Sequence, residues 1–179
     1  MRLHDTDIAG AYLIEQPWFD DERGYFSIMW ASHDFERLGL VTELSQCNTA
    51  FNRRAGTMRG MHHQASPFEQ IKIVRCVRGA VFDVIMDLRP ESPSYRKWFG
   101  VELTPDNNRV LYAPEGVAHG YQTLVDDSEV MYLVSGAYMP AEERGVRWDD
   151  PAFGVRWPDP GVERTVNPRD ASFPAFPAS

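Results

Sequence analysis

Apolar residues in this chain come in short runs, and turn-forming residues separate them. Runs rich in β-branched and aromatic side chains cover 70–78, 80–88, 98–103, 109–113, 117–124 and 129–138. Each has the length of a strand rather than of a globular helix. Ahead of them, residues 8–16 read as an opening strand. Residues 19–26 read as a polar turn leading into another strand, and 43–51 as strand-like before the turn Asn52–Gly56. Ser32 is placed to cap a short helix over 33–38, and Gly39 to end it. Strands this closely spaced, punctuated by 13 glycines and 13 prolines, predict an all-β sandwich or small barrel with a short peripheral helix. No repeat, low-complexity tract or linker divides the chain, so residues 1–179 are expected to form one domain. Past residue 140 the pattern loosens into turns anchored by Trp148 and Trp157, and the tail 163–179 is expected to be extended.

Alternation along the strands says which side chains share a face. Lys72 goes with Val74 and Cys76, and Tyr132 with Val130 and Val134, so both polar groups are expected inside the barrel. A lysine is almost never buried without a compensating partner. The alternative is an edge strand from which Lys72 reaches water. Tyr132 is open to the plainer reading of a core tyrosine. The stretch Arg59-Gly60-Met61-His62-His63-Gln64 holds two adjacent histidines, which a strand would point to opposite faces. Only one of them is then expected to line an interior cavity, and both could instead be structural. Taken together, an imidazole, an ammonium and a phenol are a base, a fixed cation and an acid. Proton abstraction beside a ketone needs those three groups, and an isomerase acting on a carbonyl sugar is the expectation.

Charge narrows the partners. The formal net charge is −8, which argues against a nucleic-acid-binding surface. An anionic ligand would have to be held by local arginines and lysines. The N-terminus carries no apolar signal-like run and no window reaches the length of a membrane span, so a cytoplasmic protein without membrane contact is expected. Cys47 and Cys76 are expected as free thiols. Walker, G-x-S-x-G and G-x-G-x-x-G patterns are absent.

Pro114-x-Gly116-x-x-His119 resembles the second signature of the cupin superfamily, in which a tight turn and the next strand deliver a histidine into the barrel. The first signature here is His62-His63-Gln64, without the H-x-H of metal-binding cupins. The ligand set is incomplete, so no metal is expected.

Arg59-Gly60-Met61-His62, Gln70-Ile71-Lys72, Asp87-Leu88-Arg89 with Ser92-Pro93-Ser94, Pro114-x-Gly116-x-Ala118-His119-Gly120 and Trp148-x-Asp150-Pro151 occur in order. As a set they resemble the dTDP-4-dehydrorhamnose 3,5-epimerase family, from about residue 5 to residue 174. The resemblance implies a cupin jelly roll, a homodimer, and a 4-keto-6-deoxyhexose substrate on a nucleoside diphosphate, with neither metal nor organic cofactor. By the same resemblance, His62 is the base, Asp170 the carboxylate that orients it, Lys72 the cation near O4 and Tyr132 the acid on the opposite face. His119 lies beside the sugar. Arg23, Gln46, Asn48 and Arg59 match positions contacting the nucleotide or its diphosphate, Tyr138 matches the aromatic that stacks on the base, and Glu143 and Arg169 match further binding positions.

The chain departs from the family pattern at Ile28, in place of a glutamate, at His63, in place of an aromatic, and at Gly136, in place of a polar residue. The loop between Asn48 and Arg59 is one residue longer than in many members. These departures keep open a single-centre epimerase or a different nucleotide. From other classes, a metal-dependent cupin enzyme or a non-catalytic nucleotide-sugar binding protein are the alternatives.

Overall fold

The computed structural model describes residues 1–177. Its core is a pair of antiparallel sheets packed face to face, the jelly-roll arrangement of a cupin-like fold. The first sheet contains β1 (Arg2–Asp5), β2 (Tyr12–Glu15), β5 (Gln46–Asn52), β7 (Lys72–Arg78), β10 (Arg109–Ala113) and β12 (Ser128–Val134), in the order β1-β2-β10-β7-β12-β5. The second contains β6 (Thr57–Gln64), β8 (Val81–Asp87), β9 (Trp98–Leu103), β11 (Val117–Thr123) and β13 (Glu143–Gly145), in the order β13-β6-β11-β8-β9. A two-residue strand, β14 (Thr165–Val166), runs parallel to the start of β6. The strands β3 (Trp18–Asp21) and β4 (Gly24–Ser27) pair only with each other.

Three apolar clusters follow from the period-2 alternation. Between the sheets lie Val74, Cys76, Val130 and Leu111 from the first and Val81, Ile85, Val117 and Tyr121 from the second, with Tyr132 packed against them. On the outer side of the first sheet, Ile14, Ile73, Val110 and Tyr112 are covered by Phe35 and Leu40. On the outer side of the second, Met61, Val84, Met86 and Ala118 are covered by Val146 and Phe153. Burial on both faces is why the central strands read as nearly continuous apolar runs rather than as a clean alternation.

Several expectations need correction. The opening strand is not 8–16. Residues 8–11 turn, with the Ala11 amide bonded to the Ile8 carbonyl at 3.0 Å and Gly10 at φ 78°, so that β2 can fold back on β1. The helix α1 (Ser32–Arg37) starts one residue early. Its cap position is Ala31, with no side-chain cap, so Ser32 lies inside the helix. Gly39 does end it, in the left-handed region at φ 72°. The last long strand stops at Val134 rather than 138. The tail is not simply extended: it contains β14 and the short helix α2 (Pro168–Ala171), capped by the Asn167 side chain accepting from the Arg169 amide. Both cysteines are free, Cys47 exposed and Cys76 buried.

Candidate active site

The site forms where β6, β7 and β12 meet the returning tail. Two glycines set the local geometry of β6. A Cβ on Gly60, at φ 116°, would lie 2.6 Å from the Gly120 Cα and 2.7 Å from the His119 carbonyl oxygen. The strands β6 and β11 thus approach more closely than side chains allow, and their register shifts between His119 and Tyr121. The result places His62 directly opposite His119 on one side and Gly145 on the other.

His62 is fixed by the tail. Its Nε2 lies 2.8 Å from Asp170 Oδ1, while the other carboxylate oxygen accepts the Gly60 amide at 3.0 Å. A carboxylate can only accept here, so Nε2 carries the proton and Nδ1 is left as the basic nitrogen. Burial pushes the Asp170 carboxyl up, but the hydrogen bonds from His62 and the Gly60 amide outweigh it and hold the group below its ordinary value.

Lys72 enters from the facing sheet. Its Nζ donates to the His62 backbone carbonyl at 3.1 Å, which ties the ammonium to the strand that carries the imidazole. Burial lowers its pKa to about 8, against opposing pulls from Asp83 and Glu143. Burial raises the Tyr132 phenol, which favours its protonated form. His62, Lys72 and Tyr132 all line one cavity of about 360 Å³. Gln46, Asn48, Tyr138 and Glu143 line the same cavity, as do Gln64 and Gln70. At its mouth the Tyr138 hydroxyl donates to Glu143 at 2.6 Å, and Arg169 pairs with Glu143 at 2.5 Å. A second cavity of about 450 Å³ shares His62 and is lined by Arg59, Arg169 and Asp170.

His63 also borders the first cavity. Alternation led us to expect only one of the adjacent histidines there. The strand ends one residue later at the cavity rim, so both neighbours reach it. Burial, together with the charges of Lys72 and Arg144, lowers the His63 pKa and keeps the ring neutral.

His119 and Arg23 are expected binding residues that are absent from the lining of both cavities. His119 is buried between the sheets, with Nε2 3.0 Å from both carboxylate oxygens of Asp83. Arg23 sits at the tip of the β3–β4 hairpin, where it pairs with Asp21 at 2.6 Å. Sequence reasoning overlooked Asp83, although an acid flanked by Val81 and Ile85 on the inward face of an apolar strand was a usable signal. It also overlooked Phe173, whose ring stands edge-on to His62 at 5.8 Å.

Among the described residues, no group of three or more His, Cys, Asp or Glu side chains is arranged to hold a metal ion. The two inward histidines each face their own carboxylate instead of a shared point.

The chain is similar to known proteins over nearly its whole length. A family model described as dTDP-4-dehydrorhamnose 3,5-epimerase matches residues 5–178. An enzyme of that name from Sinorhizobium fredii is 42% identical over 154 residues, covering 86% of this chain and 79% of its own. The solved rmlC epimerase of Mycobacterium tuberculosis superposes with a TM-score of 0.93 at 37% identity, covering 98% of this chain and 88% of its own. ChmJ, a 3'-monoepimerase from Streptomyces bikiniensis solved in complex with dTDP-quinovose, superposes at 0.89 with 34% identity, covering 96% and 86%. The chain is an isomerase of the epimerase class and belongs to the dTDP-4-dehydrorhamnose 3,5-epimerase family.

Proposed function

We propose that this enzyme epimerises a nucleotide-linked 4-keto-6-deoxyhexose at both C3 and C5, without a metal, and that His62, Lys72, Tyr132 and Asp170 carry the chemistry. The observation that bears most weight is the convergence of an imidazole, an ammonium and a phenol on one cavity. The C4 ketone acidifies the neighbouring carbon. Nδ1 of His62 takes that proton, the C–H electron pair becomes a carbon–carbon double bond, and O4 becomes an oxyanion. The Lys72 ammonium, anchored on the His62 carbonyl at the cavity wall, stabilises that charge. Tyr132 returns a proton to the opposite face, which inverts the centre, and regains its own from solvent. His62 then releases its proton, and the Asp170 carboxylate holds the ring in the working tautomer throughout.

Arg59 and Arg169 at the second cavity suit a diphosphate, since a guanidinium forms paired hydrogen bonds with phosphate oxygens. Tyr138 at the mouth suits the base. We read the chain as one cytoplasmic domain, its sheets sharing a single core, that works as a homodimer. Two features support the dimer. Arg23, matched by resemblance to a nucleotide contact, lines neither cavity of its own chain. The hairpin that carries it displays Trp18, Phe19, Tyr25 and Phe26, each between 38% and 64% exposed. A partner's hairpin laid across the cavity would account for both.

The test is incubation with dTDP-4-keto-6-deoxyglucose in D₂O. Deuterium at C3 and C5 supports the proposal. Deuterium at C3 alone gives the second reading, a single-centre epimerase, which the close match to a 3'-monoepimerase keeps in view. No exchange with any nucleotide variant rejects both. Full activity after chelator treatment is the expected result for metal independence, and sedimentation should report twice the chain mass.

A further inference from the structure

The tail does more at His62 than supply Asp170. Three residues further on, Phe173 places its ring 5.8 Å from the imidazole, centroid to centroid, at an interplanar angle of 81°. That seat exists only because of a glycine. Gly145 on β13 is the register partner of His62, and a Cβ built on it would overlap the Phe173 ring. Gly145 is not among the glycines at positive φ, so what it contributes is space rather than backbone freedom. The guanidinium of Arg169 lies 5.9 Å from the centre of the same ring. One short segment therefore holds the imidazole nitrogen through Asp170 and flanks its ring through Phe173, while its first residue, Arg169, closes the cavity mouth with Glu143.

We propose that Phe173 is a positioning residue for His62 and that Gly145 is the notch that lets it act. With Asp170 bonded to Nε2, the imidazole can still pivot about that hydrogen bond. The edge of the Phe173 ring removes the room for that pivot, so Nδ1 stays aimed at the carbon that loses its proton. A change of this kind acts on the alignment of base and substrate, and small misplacements of reacting groups are costly in rate. The inference rests on His62 being the base of the proposed reaction.

The experiment compares Phe173→Ala, Phe173→Leu, Gly145→Ala and the Gly145→Ala/Phe173→Ala double variant in the D₂O exchange assay, with dTDP affinity and thermal midpoint measured alongside. Phe173→Ala is expected to lower kcat by about tenfold or more with KM and dTDP affinity nearly unchanged. Phe173→Leu, which keeps bulk in the notch, should recover much of the loss. Gly145→Ala should reproduce the Phe173→Ala defect by evicting the ring, and the double variant should be no slower than either single one, because the two changes remove the same contact. A wild-type kcat for Phe173→Ala, or losses that multiply in the double variant, would overturn the proposal. Should Gly145→Ala lower the thermal midpoint severely, the Ala and Leu variants at Phe173 decide alone. If the unaltered enzyme exchanges no deuterium at all, the epimerase reading fails instead.

Discussion

Two imidazole–carboxylate pairs lie side by side in this fold, and they differ in where the carboxylate comes from. His62 and His119 are register partners on adjacent strands. His119 meets Asp83, which projects from the neighbouring strand of the same sheet, and the side chains are 8% and 0% exposed. His62 meets Asp170 from the tail, at 29% and 7%. The first pair is built into the barrel wall by strand pairing alone. The second is assembled only after more than a hundred residues of chain have returned to the strand, and it leaves one ring nitrogen free at a cavity. A sheet can thus hold the same chemical pair twice, once enclosed in its core and once open to a cavity.

Replacement of His62 should separate the two most sharply. His62→Ala, and likewise Tyr132→Phe, is expected to lower turnover by roughly 10²–10⁴-fold, with a smaller loss of thermal midpoint than at His119 because Asp170 keeps the hydrogen bond from the Gly60 amide. Rates near wild type for both would remove these residues from the chemistry. His119→Ala should behave in the opposite way. It strands the Asp83 carboxylate in the core, and losing one member of a buried pair costs about 3–5 kcal/mol of stability. Denaturant unfolding measures that cost. An unchanged midpoint would show that the inner pair is not structural.

Asp170→Asn probes the outer pair more gently. The amide can offer Nε2 a donor as easily as an acceptor, so the ring loses its enforced tautomer. A fall in kcat on the order of 10²-fold, with KM little changed, is expected. A fall confined to KM would mean that Asp170 serves binding rather than the orientation of His62.

The same contrast explains what the sequence made legible. Strands β9 and β10 lie where the apolar runs put them, and alternation placed Lys72 and Tyr132 on the inward face. Those signals are local. The pieces that were missed owe their shape to distant partners: β14 is two residues long and exists because β6 is there to pair with it. The helix α2 was hidden in a tail that read as extended. Yet Asn167-Pro168 is a capping residue followed by a proline at the first helical position, and that signal could have been read. The candidate site was legible as residue types, above all through the motif that begins at Arg59. That His119 would turn away to Asp83, while Arg23 stood on a separate hairpin, was not legible, because both depend on which strands become neighbours.

The smallest expected effect concerns the group that the two sheets share. Lys72 reaches across to the carbonyl of His62, and burial brings its pKa from an ordinary 10.5 down to about 8. Below about pH 8 the ammonium is present and the folded state bears the cost of burying it. Between about 8 and 10.5 the folded protein has released that proton while the unfolded chain still holds it. The unfolded state then binds more protons, so this group makes stability rise with pH across that window. Catalysis should move the other way, because the neutral amine cannot stabilise charge on O4. An alkaline limb in kcat near pH 8, with a thermal midpoint that does not fall in parallel, is the expected pair of observations. Lys72→Met should abolish the window in stability and lower kcat at every pH. An alkaline activity loss that tracks unfolding would instead place the cause in the fold as a whole.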